Sequence, residues 1–161
     1  MNTEISNIKI RLVTEPDIET MIQHRLTYLE ELQGARNEGY KLKLKKELTG
    51  YFSKNIENGN YIAVVAELEG RALSYGGMII KQIPGDFNKP SYLEGEIMNM
   101  YTIPEARRKG ISSLILKELL KISKEMGISK VALHTSKDGE KLYRKFGFTE
   151  PAYPFFELII E

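Results

Sequence analysis

The stretch best suited to chemistry is the basic turn Arg107–Gly110, which lies between a strand pattern and a helix pattern. β-Branched, aromatic and Met side chains over residues 97–102 predict a strand. Pro104 closes this strand, because proline cannot donate a ladder hydrogen bond. From Ser113 onward, apolar residues recur at spacings of three and four, which indicates a helix. The basic turn therefore falls at the N-terminus of a helix.

A turn of this kind can bind an anion. The start of a helix leaves backbone N–H groups without intrahelical partners and carries roughly half a positive charge. Gly110 lets the backbone approach a bulky ligand, and Arg107, Arg108 and Lys109 add attraction. We interpret the turn as a pyrophosphate-binding cradle, and the alternative is an ordinary solvated loop. The sequence contains neither Gly-x-x-x-x-Gly-Lys-Ser/Thr nor Gly-x-Gly-x-x-Gly, which disfavours a P-loop and a dinucleotide-binding fold.

The stretch from Met100 to Leu116 resembles the acyl-CoA-binding motif of the GNAT superfamily of N-acetyltransferases, Gln/Arg-x-x-Gly-x-Gly/Ala. Arg107 and Gly110 match this motif, and Ser112 replaces its last small residue with another small one. The resemblance implies that acetyl-CoA binds between the strands that precede and follow the helix. It assigns the cofactor to the strand edge and the turn, through Met100, Tyr101, Thr102, Arg107, Arg108, Lys109, Gly110, Ile111, Ser112 and Ser113.

A second stretch, from Thr135 to Phe148, is similar to the GNAT signature Asn-x-x-Ala-x-x-x-Tyr-x-x-x-Gly-Phe. The Tyr, Gly and Phe positions match, whereas Ser136 and Gly139 replace Asn and Ala. In this family the tyrosine lies near the thioester sulfur, so the resemblance implies that Tyr143 is a general acid for the departing thiolate. From the residues alone, the preferred interpretation of Tyr143 is a half-buried aromatic on an amphipathic helix, and the resemblance reverses this preference.

The resemblance also gives Glu96 a catalytic role. It lies on the predicted strand eleven residues before Arg107, where some GNAT enzymes carry a general-base glutamate. A water relay would then connect it to the amine. Two alternatives are an exposed carboxylate beside Glu94 and a base formed by a chain of water molecules.

Acetyl transfer to an amine needs a neutral amine, a stabilised carbonyl oxyanion and a proton for the thiolate. The resemblance predicts direct attack of a primary amine on acetyl-CoA in a ternary complex, and the alternative is a non-catalytic acyl-CoA-binding or sensing module. In GNAT proteins the first two helices and certain loops select the acceptor, which here points to Arg25, Tyr28, Glu31 and loops 84–90 and 151–154. These residues carry no recognisable signature, and we expect a small molecule rather than a protein.

The remaining patterns predict the elements that position these residues. Strand patterns cover 8–13, 61–67, 73–83, 92–102, 130–135 and 155–160, and helix patterns cover 14–32, 42–56, 112–126 and 138–146. With the resemblance, we expect one α/β domain over residues 1–161 with the GNAT fold. Its mixed, mostly antiparallel sheet should have six to seven strands and about four flanking helices. The strands on either side of the third helix should pair in parallel and then separate.

Composition narrows the function classes. The 161 residues contain 23 Lys and Arg against 22 Asp and Glu, which disfavours a nucleic-acid or membrane-surface binder. Without cysteine, neither disulfides nor an acyl-cysteine intermediate is possible. With only His24 and His134 we expect no metal site, and we interpret both as packing residues. The lysines in 41–46 are interpreted as a solvated helix face. No leader or long apolar run is evident, so we expect a cytoplasmic protein, and the resemblance allows a homodimer.

Overall fold

A mixed five-stranded sheet forms the centre of the protein in the computed structural model, which describes residues 5–160. Its strands, in spatial order, are β1 (Lys9–Leu12), β2 (Tyr61–Leu68), β3 (Arg71–Pro84), β4 (Ser91–Thr102) and β5 (Lys130–Leu133). Strands β1 to β4 pair antiparallel, and β5 pairs parallel with β4. Within this part of the chain the helices are α1 (Ile18–Gln33), α2 (Glu38–Glu57), α3 (Ile111–Glu125) and α4 (Lys137–Lys145).

The strand predicted over 155–160, and with it a sheet of six or seven strands, is wrong for the described residues. The segment passes beside the end of β5, where the Phe155 and His134 rings lie 6.4 Å apart, but it forms no ladder. Its large apolar side chains are 69% to 88% exposed. A strand needs a hydrogen-bonding neighbour as well as apolar residues, and the local pattern contains only the second requirement.

The sheet separates two hydrophobic cores. On one face, Ile115, Leu116 and Leu119 of the amphipathic helix α3 pack against the sheet and are fully buried. On the other face, α1 and α2 pack through Ile22 and Phe52, which are 0% and 2% exposed. Each buried side chain of this size contributes about 1.5–3 kcal/mol relative to exposure, so the two cores hold the helices at fixed positions over the sheet.

A cluster of charges joins the start of α1 to the sheet. Arg11 on β1 donates hydrogen bonds to the Asp17 carboxylate at 2.7 and 2.9 Å and to Glu67 on β2 at 2.8 and 3.1 Å. Asp17 also accepts from the Thr14 backbone N–H at 2.8 Å, as expected for a helix start. The bonds from Arg11 hold the pKa of Asp17 well below its ordinary value and also lower the pKa of Glu67.

Replacing Arg11 with methionine should destabilise the protein by about 1–2 kcal/mol at pH 7. The pKa of Asp17 is lower in the folded state than in the unfolded state. Its stabilisation is therefore fully present well above the unfolded pKa of about 3.9 and is lost as the pH falls toward the folded pKa. Urea unfolding at pH 7 and pH 3 should show a smaller difference between variant and wild type at pH 3.

The matched control is Lys9→Met, also on β1. Lys9 Nζ lies 3.7 Å from Glu67, but its side chain is 69% exposed, so its removal should cost less than about 0.5 kcal/mol. An Arg11→Met effect of equal size at both pH values would contradict the role assigned to the carboxylates.

Candidate active site

A cleft begins where β4 and β5 separate. Their pairing ends at Ile97 and Leu133, whereas β4 continues to Thr102. The edge of β4 that faces away from β3 therefore has no strand partner over 98–102 among the residues the structure describes. This separation was expected from the strand–helix–strand pattern. The unpaired edge offers backbone groups that a ligand can bind.

An irregularity in the sheet marks the same point of β4. The register between β3 and β4 shifts between Tyr75 and Gly77, which produces a bulge. On β4, Asn99 adopts a φ of +58°, a left-handed conformation that asparagine tolerates better than most residues. Its side-chain nitrogen donates to the Tyr61 hydroxyl at 2.8 Å. The sequence analysis missed Asn99, although two consecutive glycines within a strand pattern can signal a bulge.

The predicted cradle forms the start of α3. Gly110 caps the helix with a φ of +77°, and Arg108 is also left-handed at +61°. An added Cβ at Gly110 would meet nothing closer than 4.0 Å, so the backbone angle, rather than packing, requires glycine. The N–H groups of Ile111 and Ser112 have no hydrogen-bond partner in residues 5–160. These N–H groups and the helix dipole make the turn suitable for an anion.

The cations of the turn are not equivalent. Arg107 Nε donates to the Thr102 carbonyl at 2.9 Å, and its Nη2 donates to both Glu31 oxygens at 3.0 and 2.8 Å. Arg107 therefore connects the turn to β4 and α1. Arg108, by contrast, is exposed and forms no ion pair with any described residue. Arg108 is thus free to approach a phosphate.

Three hydroxyl groups connect the turn to the sheet. Ser74 Oγ on β3 lies 2.8 Å from Thr102 Oγ1, which in turn lies 3.1 Å from Ser112 Oγ at the start of α3. Ser74 also donates to the Tyr101 carbonyl at 2.9 Å and is only 1% exposed. Thr102 and Ser112 were predicted from the motif, whereas nothing in the sequence singled out Ser74. This hydroxyl chain joins β3, β4 and α3.

Tyr143 lies on α4 with its ring buried. The side chain is 9% exposed and packs edge to face against Phe148, with ring centroids 5.8 Å apart. Its hydroxyl forms no hydrogen bond to the described residues and is not fully enclosed. Burial, and secondarily the nearby Tyr28, raises the pKa of Tyr143. A tyrosine is protonated at neutral pH, as a general acid must be, and the raised pKa extends this condition to higher pH.

Glu96 on β4 takes part in charge contacts with two neighbouring residues. Its Oε2 is bound by Lys81 of β3, and its Oε1 lies 3.8 Å from His134 Nδ1. The Glu96 carboxylate is therefore an ion-pair partner of Lys81. It is not among the residues that line the small cavity described next.

A small cavity lies between α1 and the bulge of β4. It is lined by Met21, His24, Arg25, Tyr28, Phe52, Tyr75, Asn99 and Tyr101. The sequence analysis placed Arg25 and Tyr28 near the acceptor but interpreted His24 as a packing residue. In the structure, the His24 ring does pack edge to face against Tyr75 and Tyr101, at 5.1 and 5.8 Å. It also borders the cavity, which we call the bulge cavity.

Two kinds of feature are absent from residues 5–160. No group of three or more His, Cys, Asp or Glu side chains in this range could hold a metal ion. None of the helices there combines the length and apolar character needed to cross a membrane.

Comparisons with known proteins agree with this geometry. The model of the acetyltransferase (GNAT) family matches residues 24–148. A predicted acetyltransferase from Clostridium acetobutylicum, solved with acetyl-CoA, is 28% identical with a TM-score of 0.81, over 94% of this chain and 96% of that chain. A GCN5-related N-acetyltransferase from Ralstonia eutropha is 21% identical with a TM-score of 0.75, over 94% and 98%. No curated protein matches the sequence. The expected α/β fold is confirmed.

Proposed function

Since the chain belongs to the acetyltransferase (GNAT) family, we propose that it transfers the acetyl group of acetyl-CoA to a primary amine by direct attack in a ternary complex. The observation that carries this proposal is the cleft itself. An unpaired edge of β4 ends beside a helix start whose N–H groups at Ile111 and Ser112 have no partner in residues 5–160. Tyr143 packs in the same hydrophobic cluster as Tyr101 of β4.

These residues fit the two polar parts of acetyl-CoA. The free N–H groups, the positive end of α3 and the exposed Arg108 suit a pyrophosphate. The open edge of β4 around Met100 suits amide groups that pair as an added strand would. For Arg107 we propose a supporting role beside the one that the motif suggests, because its guanidinium holds Glu31 and the Thr102 carbonyl. It would support the cradle by connecting it to β4 and α1.

In the overall reaction, the carbon–sulfur bond of the thioester breaks, a carbon–nitrogen bond forms, the amine loses a proton and the thiolate gains one. When bound, acetyl-CoA supplies the activated acyl group. Tyr143 would donate the proton that the thiolate needs, since a tyrosine hydroxyl is protonated at neutral pH. Glu96 would act as the general base only through a water relay, since one of its carboxylate oxygens accepts a hydrogen bond from Lys81.

The first test is ligand binding. At about 100 times its dissociation constant, acetyl-CoA should stabilise the protein by roughly 2.7 kcal/mol, which corresponds to about 5–10 °C for a chain of this size. CoA should act similarly, and ATP should not. A thermal-shift measurement with the three ligands checks this. If neither CoA species raises the melting temperature, the cradle is an ordinary loop and the proposal falls.

The second test separates a transferase from a binding module. Release of free CoA is measured with acetyl-CoA and a broad panel of primary amines. Release that depends on the amine supports transfer. Tight binding of CoA without turnover across the panel would instead establish an acyl-CoA-binding or sensing protein.

A further inference from the structure

The bulge cavity brings together three polar atoms without partners. Within residues 5–160, the fully enclosed side-chain N or O atoms that lack a hydrogen bond are His24 Nδ1, Arg25 Nε and Asn99 Oδ1. All three residues line this one cavity. An enclosed polar group without a partner costs about 1–3 kcal/mol, so such groups normally satisfy one another or bind something. Their grouping around one space indicates a polar ligand.

Arg25 also lacks a counter-charge. Its guanidinium is partly buried and forms no ion pair with any residue the structure describes. Two carboxylates of the same helix are occupied elsewhere, since Glu30 pairs with Lys41 at 2.6 Å and Glu31 with Arg107 at 2.8 Å. A partly desolvated cation without an anion is unfavourable, and an arginine cannot lose its charge to relieve this. The missing partner is therefore an anion.

The other two atoms define what surrounds that anion. Because Asn99 Nδ2 donates to Tyr61, Asn99 Oδ1 faces the cavity as an acceptor, suited to the N–H of an amine. Burial lowers the pKa of His24, which keeps its imidazole neutral near pH 7 and adds no second positive charge. The cavity thus offers one cation beside one amine acceptor.

The cavity also borders the proposed reaction site. Asn99 and Tyr101 belong to the stretch of β4 that no longer pairs with β5, and Tyr28 is close enough to Tyr143 to raise its pKa. None of His24, Arg25 and Asn99 is fully buried as a residue, so the cavity lies close to solvent although its three unpartnered atoms are enclosed. A molecule bound here would lie beside the unpaired edge of β4.

From this arrangement we propose that the acceptor amine carries an oxyanion, a carboxylate or a phosphate, which Arg25 binds beside the bulge cavity. This inference rests on the proposed acetyl transfer. The cavity has room for about one water molecule, so the acceptor lies outside it, against the part of Arg25 that is not enclosed. A bound water alone could satisfy the hydrogen bonds but would leave the Arg25 charge without a partner.

The test uses matched pairs of amines. The acidic probes are β-alanine and 2-aminoethyl phosphate. Their counterparts, called neutral amines here because they lack the acid group, are propylamine and ethanolamine. Dissociation constants come from NMR titration of the CoA-bound protein, and kcat/KM comes from CoA release. We expect at least one acidic probe to bind about tenfold or more tightly than its counterpart, and the better acid distinguishes carboxylate from phosphate.

Variants then assign the preference to Arg25. Arg25→Met should abolish most of this advantage of about tenfold or more, and Arg25→Lys, which keeps the charge, should retain a larger part of it. The control Lys46→Met removes an exposed cation of α2 away from the cavity and should leave the preference unchanged. If Arg25→Met fails to fold, the comparison of acidic and neutral amines with the wild type and with Arg25→Lys still tests whether Arg25 binds the anion.

Equal binding of acidic and neutral amines by the wild type would overturn the inference and leave only a bound water in the cavity. Equal losses in Arg25→Met and Lys46→Met would also overturn it. The proposed function fails separately. If acidic amines bind through Arg25 but no CoA is released, anion recognition stands and acetyl transfer falls. If neutral amines are acetylated as well as acidic ones, acetyl transfer stands and anion recognition falls.

Discussion

Tyr143→Phe should lower acetyl transfer by about 10²–10⁴-fold while leaving acetyl-CoA affinity nearly unchanged, because the change removes one proton donor and little contact surface. The ring packs against Phe148, and phenylalanine can keep this contact. The hydroxyl has no hydrogen bond to residues 5–160, so its loss should leave the melting temperature within about 2 °C of the wild-type value. Steady-state CoA release with a reactive amine measures the loss.

The pH dependence of the rate gives a second readout for Tyr143. Since burial raises its pKa, the wild-type enzyme should keep its general acid protonated beyond the pH at which an ordinary tyrosine titrates. Tyr40→Phe is the matched control, because Tyr40 is 56% exposed and lies outside the residues assigned to the acceptor and the cofactor. An unchanged kcat in Tyr143→Phe would show that this tyrosine is only a packing residue.

Gly77→Ala should destabilise the protein by about 1–3 kcal/mol, a fall of roughly 3–10 °C in melting temperature. An added Cβ would lie 1.8 Å from the Tyr61 hydroxyl oxygen and 2.3 Å from its Cζ, so either the Tyr61 side chain or the backbone at position 77 must move. Tyr61 has little freedom to do so, since it is 1% exposed and its hydroxyl accepts a hydrogen bond from Asn99 at 2.8 Å. Thermal and urea unfolding measure the loss.

Gly50→Ala provides the opposite case within the same protein. Gly50 lies inside α2, and an added Cβ there would meet nothing within 4 Å. Alanine should therefore stabilise the helix by about 0.5–1 kcal/mol, because it restricts the unfolded chain. Combining Gly77→Ala with Tyr61→Phe should not recover the lost stability, because phenylalanine keeps the Cζ that lies 2.3 Å from the added Cβ and removes the acceptor of Asn99 Nδ2. Recovery to the stability of the wild type would contradict the clash assigned to the ring.

The parts of the site that depend on local sequence could be predicted. The helix start at Gly110 follows from a glycine, three cations and a change of hydrophobic period within one short stretch. The end of β4 follows from Pro104 in the same way. Local patterns could not show that Arg107 is engaged by Glu31, because the two residues are brought together only by the packing of α1 on the sheet.

The bulge cavity lay beyond sequence reasoning for the same physical reason. His24 and Arg25 lie on a helix over one face of the sheet, and Asn99 reaches them only because the register shifts between Tyr75 and Gly77. Strand register depends on both partners, so the pattern of one strand does not determine it. The opposite error occurred at residues 155–160, where a strong local pattern predicted a strand. Among the described residues, no neighbouring strand pairs with this segment.

Because of the hydroxyl chain from Ser74 through Thr102 to Ser112, the cradle loses its conformational entropy when the protein folds rather than when a ligand binds. Because hydroxyl groups on two strands and one helix hold each other at 2.8 and 3.1 Å, the first turn of α3 is immobilised as the sheet folds. Fixing one residue's backbone costs about 1–2 kcal/mol of conformational entropy. That loss occurs during folding, so a phosphate arriving later meets N–H groups already in place and its binding energy is not spent on ordering them.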